Sequence, residues 1–204
     1  MQHHQSFRIA TLLVAASTAA CVPLPVHVYA PDPSTGTVTY STCALDGNLP
    51  AGLKLPTPGF GTTVALDQGD AGGFIRVQLD MPPGITIVLN DDVVRIDRGA
   101  ALPAIQARIP NVSQVDVPGI NYYGDEPATR QPFLPVRAPL IGGRTSAGAR
   151  SWDKRYWIGV RVDLQKAEDV TISLPGFTVN GTPAQFPPAH FHRQQMVAIA
   201  SFNC

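Results

Sequence analysis

Two histidines near the end of the chain have a spacing that metal ligands can have. One residue separates His190 from His192, so both imidazoles lie on one face if the segment is extended. Zinc sites in proteins use nitrogen and sulfur ligands, and His27 would be a candidate third ligand. Two ligands alone do not make a site, and prolines and an arginine flank the pair. We therefore favour surface or loop histidines and expect neither a metal nor another cofactor.

Four aromatic residues could contact a ligand. Tyr122 and Tyr123 lie in a long irregular segment, and Trp152 and Trp157 lie where it gives way to a strand. Aromatic side chains can stack on sugar rings or fill pockets of a partner protein. The alternative is that some of them close one end of the folded domain. Trp157 is the best-exposed candidate, because alternation places it on the non-core face of its strand.

The same region carries a run of positive charge, which acidic residues at 125, 126 and 153 offset only in part. Its members are Arg130, Arg137, Arg144, Arg150, Lys154 and Arg155. Such a run could contact lipid headgroups, lipopolysaccharide phosphates or an acidic partner. We favour a solvated loop whose arginines pair locally, because the run is spread and irregular. Arg150 completes the candidate partner or ligand surface, which comprises Tyr122, Tyr123, Arg150, Trp152 and Trp157.

No catalytic pattern of any specificity is present in the sequence. The adjacent carboxylates of 91–92 and 125–126 would point apart in an extended chain, so we interpret them as turn residues rather than an acid–base pair. The sequence lacks a nucleophile elbow, a phosphate-binding loop and a zinc-protease motif. The formal net charge is zero, so the basic excess of nucleic-acid-binding proteins is missing. These features predict a protein that is not an enzyme and has no nucleic-acid partner.

The most specific signal of the chain surrounds Cys21. A polar start with Arg8 is followed by an apolar run over 9–20, whose last residues, 18–20, are small. This is the layout of a secretory signal, and the apolar run is shorter than the about 20 residues of a membrane-spanning helix. The segment resembles the lipobox of bacterial lipoproteins, in which small residues precede a cysteine that is lipidated and becomes the new N-terminus.

This resemblance implies export, cleavage before Cys21 and anchoring by acyl chains such as palmitate. In lipoproteins an Asp directly after the cysteine favours retention in the inner membrane, so Val22 implies the outer membrane, on either face. Cleavage after Ala20 without lipidation is the alternative and would give a soluble exported protein. Another small-x-small site, at 28–30, is followed by Pro31, which generally blocks cleavage.

The cysteine count agrees with lipidation. The chain has three cysteines, Cys21, Cys43 and Cys204, and an odd number leaves one thiol over in an exported protein. Lipidation of Cys21 resolves this and leaves Cys43 and Cys204 as a pair in an oxidising compartment. A Cys43–Cys204 disulfide would close most of the domain into one loop and stabilise it by roughly 5 kcal/mol. The alternative is two free, buried thiols.

Composition and periodicity predict an all-β domain. The chain has 18 Gly and 20 Pro, few charged residues and many short runs of Val, Ile and Thr. The clearest strands, 74–81 and 156–164, alternate apolar and polar residues. Residues 85–89 and 93–97 predict a hairpin around 90–92, and Asn180–Gly181 predicts another, followed by an edge strand with Pro183.

The chain divides into a signal peptide at 1–20, a lipidated cysteine with a proline-rich tether at 21–36, and a folded domain at 37–204. The four prolines of residues 22–36 favour an extended spacer rather than a packed element. Residues 100–109 fit a short helix or a strand interrupted by Pro103, and 119–151 form a long irregular loop. Roughly ten strands then predict an antiparallel β-sandwich, immunoglobulin-like or related.

We therefore expect an outer-membrane lipoprotein that is a structural or accessory subunit of a cell-envelope assembly. It would contact a partner protein through the region 119–157. The alternative is a carbohydrate- or peptidoglycan-binding module whose tyrosines and tryptophans stack on sugar rings.

Overall fold

The computed structural model describes residues 23–40, 49–69, 72–115, 133–147 and 150–199, and most of these residues lie in β-strands. The strands are β1 (Pro23–Pro31), β2 (Thr37–Tyr40), β3 (Pro50–Leu55), β4 (Gly61–Gly69), β5 (Gly72–Met81), β6 (Thr86–Leu89), β7 (Val93–Asp97), β8 (Ile105–Arg108), β9 (Val112–Val115), β10 (Phe133–Leu134), β11 (Leu140–Ile141), β12 (Arg144–Ala147), β13 (Arg150–Val162), β14 (Asp169–Ser173), β15 (Phe177–Val179), β16 (Thr182–Ala184) and β17 (Ala189–Ile199). The only helical element in these ranges is one 3-10 turn, Pro33–Thr35. The predicted all-β fold is confirmed.

The strands form three antiparallel sheets. The five-stranded sheet has the order β1-β17-β14-β7-β8, and the four-stranded sheet has the order β11-β6-β15-β16. The eight-stranded sheet has the order β10-β9-β13-β5-β4-β3-β2, with β12 paired to β13. β1 packs against β3 and β4, and β8 packs against β13, so the five- and eight-stranded sheets face each other as a β-sandwich.

The core lies between these sheets and is centred on β5 and β13. Ile75, Val77 and Leu79 of β5 are fully buried, as the alternating sequence predicts. Their cross-strand neighbours on β13 include Ile158 and Val160, which are also buried. Burial of each large aliphatic side chain stabilises the fold by about 1.5–3 kcal/mol. β13 is therefore held in the fold through its inner face.

The expectation for the proline-rich segment 22–36 is wrong. It was expected to be an unpacked spacer, but Pro23–Pro31 forms β1 and pairs with β17 along its whole length. Tyr29 is only 3% exposed, and its hydroxyl donates to the carbonyl of Ala167 at 2.9 Å. The prolines are tolerated because β1 is an edge strand, where every second N–H points away from the sheet.

The predicted hairpin around residues 90–92 is also wrong. β6 pairs with β11 and β15 in the four-stranded sheet, whereas β7 pairs with β14 and β8 in the five-stranded sheet. The loop between them is a crossover held by backbone bonds, from Asn90 N–H to the Gly176 carbonyl at 2.8 Å and from Ile109 N–H to the Asp92 carbonyl at 2.7 Å. A short polar loop can connect strands of two different sheets as well as the two strands of a hairpin.

The hairpin predicted at Asn180–Gly181 is confirmed. The two residues have φ of 51° and 83° and join the antiparallel strands β15 and β16. Positive φ at both central residues is what a type I′ turn requires, and Asn followed by Gly tolerates it best. Pro183 lies on β16, at the edge of its sheet, as predicted.

The ambiguous segment 100–109 becomes a strand only after Pro103, as β8. The turn before β8 is fixed by Arg98, which is 5% exposed. Its Nε and Nη2 donate to the carbonyl of Pro103 at 3.0 and 2.8 Å, and Nη1 donates to the carbonyl of Asp163 at 3.0 Å. One buried guanidinium thus joins this turn to the chain that leaves β13.

Candidate functional site

The outer face of the eight-stranded sheet presents an aromatic and arginine-containing surface. On β13, Trp157 and Arg161 alternate with buried core residues and point outward. Gln78 of β5 lies opposite Trp157, and Arg76 lies opposite Gly159. We call this surface the Trp157 face and define it by Phe74, Arg76, Gln78, Trp157, Gly159 and Arg161.

A glycine makes room for one ring of the Trp157 face. A Cβ built on Gly159 would lie 2.6 Å from Cζ of Phe74, which is closer than carbon atoms approach. The ring of Phe74 therefore lies over the backbone of Gly159, two residues from Trp157 on the same face. Both rings are half-buried. The outcome is a partly apolar surface on a strand whose other side is core.

Ion pairs fix the borders of the Trp157 face. At one border the Arg155 Nε lies 2.7 Å from Oδ1 of Asp80, and Gln78 Nε2 donates to the other carboxylate oxygen of Asp80 at 2.8 Å. At the other border Arg76 Nη2 lies 3.1 Å from Oδ2 of Asp67. Desolvation raises the pKa of Asp67, and the Arg76 guanidinium opposes this shift. The charged groups therefore hold each other in place around the aromatic rings.

The structure does not bring Trp152 and Trp157 to one surface. They lie five residues apart on β13, so side-chain alternation directs them to opposite faces of the strand. Trp157 is half-buried rather than well exposed. Arg150 begins β13, but its side chain lies outside the described part of the structure, as do Tyr122 and Tyr123. Of the predicted surface residues whose side chains the structure describes, Trp157 alone lies on the Trp157 face.

The predicted lipidation and disulfide residues, Cys21, Cys43 and Cys204, also lie outside the described residues.

Three members of the basic run, Arg144, Lys154 and Arg155, make contacts within the fold, and they lie on strands rather than in the solvated loop that the sequence predicts. Arg144 Nε lies 3.4 Å from Oδ1 of Asp153, and Arg155 pairs with Asp80. The ammonium of Lys154 lies 5.8 Å from the ring centre of Tyr156. Arg130 lies outside the described residues. The described members of the run therefore do not form one continuous positive surface.

The two candidate metal-ligating histidines are engaged in hydrogen bonds instead. His190 Nδ1 lies 2.9 Å from the hydroxyl of Thr171. His192 lies between two carboxylates, with Nδ1 2.5 Å from Oδ1 of Asp169 and Nε2 3.6 Å from Oδ2 of Asp32. No group of three or more potential ligands that could hold a metal occurs in the described ranges.

Electrostatics around His192 favour its protonated form. The hydrogen bond to Asp169 raises the pKa of His192, and Asp32 adds to this effect. The pKa of Asp32 is lowered, mainly by the backbone N–H of Ser34, which donates to its Oδ1 at 2.8 Å. The cluster joins β17, β14 and the end of β1, and we assign it to the stability of the sheet.

The carboxylates of Asp91 and Asp92 behave as loop residues. Asp91 Oδ1 accepts the backbone N–H of Asp92 at 2.7 Å, and Asp92 Oδ2 lies 3.0 Å from Nη1 of Arg108. They line an open cleft of about 650 Å³ together with Arg137. Both carboxylates are therefore engaged in local contacts.

Comparison of the chain with protein-family models, with curated proteins and with solved structures found no match. Within the part of the chain that the structure describes, no helix has the length and apolarity needed to span a membrane.

The residues of the Trp157 face on β5 were missed as site residues. The sequence assigns Arg76 and Gln78 to the polar face of their strand, but it does not show that β13 is their neighbour. Phe74 carries the weaker signal of an aromatic residue at a non-core position of an alternating strand.

Proposed function

We propose that this protein is an outer-membrane lipoprotein, anchored through Cys21, that acts as a non-enzymatic accessory subunit of a cell-envelope assembly. It contacts its partner protein through the Trp157 face.

The residue composition of the Trp157 face supports the partner contact. Tryptophan, arginine and other aromatic residues dominate the binding energy of protein interfaces. The ring of Phe74 lies over Gly159, two residues from Trp157 on β13, with Arg76 opposite Gly159 and Arg161 opposite Phe74. The core on the inner side of β13 holds the backbone of the strand that carries Trp157 and Arg161, so little backbone entropy is lost when a partner docks.

The anchor is supported by the sequence and by the parity of the cysteines. A lipidated Cys21 would emerge directly before β1, which belongs to the five-stranded sheet and not to the eight-stranded sheet that presents the Trp157 face. Anchoring and partner contact therefore use different parts of the domain.

The partner contact can be tested by photo-crosslinking in intact cells. A photoreactive residue replaces Thr63, which lies opposite Gln78 on the neighbouring strand β4, or, as a control, Gln106 on the outer face of the other sheet. We expect one discrete crosslinked protein from position 63 and none from position 106. Trp157→Ala should abolish the crosslink, whereas Trp152→Ala should leave it. An unchanged crosslink in Trp157→Ala would refute the surface assignment.

A carbohydrate or peptidoglycan ligand is the second candidate, because the rings of Trp157 and Phe74 could stack on sugars. The chain has two tryptophans, so Trp152→Phe leaves Trp157 as the only indole. A change in its fluorescence upon addition of glycan fragments would favour this function. An unchanged spectrum, together with the protein crosslink, would favour the first.

A further inference from the structure

We propose that the outer end of the β1–β17 pair is the surface of this domain that lies against a lipid bilayer, an inference that rests on the proposed lipidation of Cys21. Pro23 pairs with Ile199 at this end. β14, the other neighbour of β17, pairs with it only as far as His192. Beyond that point the described part of the sheet consists of β1 and β17 alone. We call residues 23–28 and 194–199 the ribbon end.

The ribbon end lies outside the core. Tyr29 is the last buried residue of β1 in this direction, and none of the described side chains at 25–28 and 194–197 is buried. Val197 is 68% exposed and is the most exposed of the large hydrophobic residues in the described ranges.

Apolar side chains occur on both faces of the ribbon end. Pro25 lies opposite Val197 on one face, and Val26 lies opposite Met196 on the other. His27 is the only ionisable residue within 23–28 and 194–199. Burial of apolar groups lowers the free energy in proportion to the area that leaves water. At the boundary between headgroups and acyl chains, both faces of the ribbon end are buried at once.

Covalent geometry brings the anchor to this end. Cys21 precedes Pro23 by two residues, which span at most about 7 Å. The polar layer on one side of a bilayer is about 5–8 Å thick. Since the acyl chains on Cys21 lie beneath that layer, Pro23 has to lie within or directly above it. The ribbon end is therefore held at the lipid surface.

The free edge of β1 argues against a protein strand as the occupant. The backbone N–H of Asp32 donates to the carbonyl of His190, which shows that even-numbered residues here direct their N–H groups toward β17. Odd-numbered residues direct theirs outward, and three of these, Pro23, Pro25 and Pro31, have no N–H. An added strand would find few donors, whereas a lipid surface needs none.

The test uses the full lipidated protein in vesicles of phosphatidylethanolamine and phosphatidylglycerol that contain a photoactivatable phospholipid. After irradiation, labelled peptides are mapped by mass spectrometry. We expect label in the peptides of β1 and β17 and none in the peptide of β11. β11 is the matched control, because it carries Ile141, a hydrophobic residue that is 58% exposed.

Two matched variants sharpen the result. Val197→Asp should lose most of the label in the β17 peptide, while the β1 peptide next to the anchor keeps its label, and Ile141→Asp should change nothing. An acylated protein labelled equally at β11, or labelled only away from the ribbon end, overturns this inference and leaves the proposed anchor intact. An intact mass without acyl chains refutes the anchor itself, and the inference falls with it.

Discussion

Replacement of Arg98 by methionine should lower the free energy of unfolding by about 3 kcal/mol. The guanidinium of Arg98 is buried and makes three hydrogen bonds to two backbone carbonyls, those of Pro103 and Asp163. Methionine keeps most of the apolar stem but leaves both carbonyls without a donor. An unsatisfied buried polar group costs about 1–3 kcal/mol, so two such groups at about 1.5 kcal/mol each give the estimate.

Thermal unfolding followed by tryptophan fluorescence measures this effect. For a domain of this size, 1 kcal/mol corresponds to about 2–4 °C in melting temperature, so Arg98→Met should melt about 6–12 °C lower. The melting temperature of Arg98→Lys should lie between those of the unsubstituted protein and Arg98→Met, because a single ammonium does not reproduce the forked donor geometry of the guanidinium.

Arg95→Met is the matched control for this prediction. Arg95 lies three residues earlier on β7 and is exposed, and its side chain has no hydrogen-bond or ion-pair partner among the described residues. Its replacement should change the unfolding free energy by less than about 0.5 kcal/mol. Equal melting temperatures for Arg98→Met and Arg95→Met would refute the argument that Arg98 ties the turn before β8 to the end of β13.

Three further predictions concern single side chains. His192→Gln should lower the melting temperature at pH 5.5 but not at pH 9. Asp169 raises the pKa of the folded imidazole, so the stabilisation by His192 is complete below the unfolded pKa of about 6.5 and is lost as the pH rises through the folded pKa. An effect that is independent of pH would contradict this. Gly159→Ala should displace the ring of Phe74 and weaken the partner crosslink from position 63, with a loss of about 0.5–1.5 kcal/mol in stability measured by urea unfolding, the cost of moving one half-buried ring out of its preferred rotamer; an unchanged crosslink would show that the ring plays no part. Tyr29→Phe should cost about 1 kcal/mol in the same assay, because it removes one buried hydrogen bond, and an unaltered stability would show that β1 is not held through this hydroxyl.

Sequence patterns predict the central strands well. In β5 and β13, strict alternation coincides with burial, because both strands have the core on one side only. The Asn180–Gly181 turn was equally predictable, since few residue pairs accept positive φ at both positions.

Other features depend on contacts between distant parts of the chain. β1 was interpreted as a tether because prolines usually interrupt strands, and only the edge position opposite β17 makes them acceptable. The loop at 90–92 resembles a hairpin in sequence, but the choice between hairpin and crossover depends on which sheets receive β6 and β7.

The candidate site, too, is predictable from local sequence patterns only in part. Alternation places Trp157 on the non-core face, and this assignment is consistent with the structure. Its neighbours Phe74 and Arg76 are set by the register between β13 and β5, which no local pattern contains. The separation of Trp152 from Trp157 follows from alternation along a single strand, once β13 is known to begin as early as Arg150.

The central claim is that this is a membrane-anchored lipoprotein, and the intact mass of the protein purified from its native membrane fraction without reducing agent tests it most directly. The account predicts a chain that begins at Cys21, carries acyl chains and lacks two hydrogens because Cys43 and Cys204 are joined. A soluble chain without lipid, with Cys21 unmodified, would contradict it.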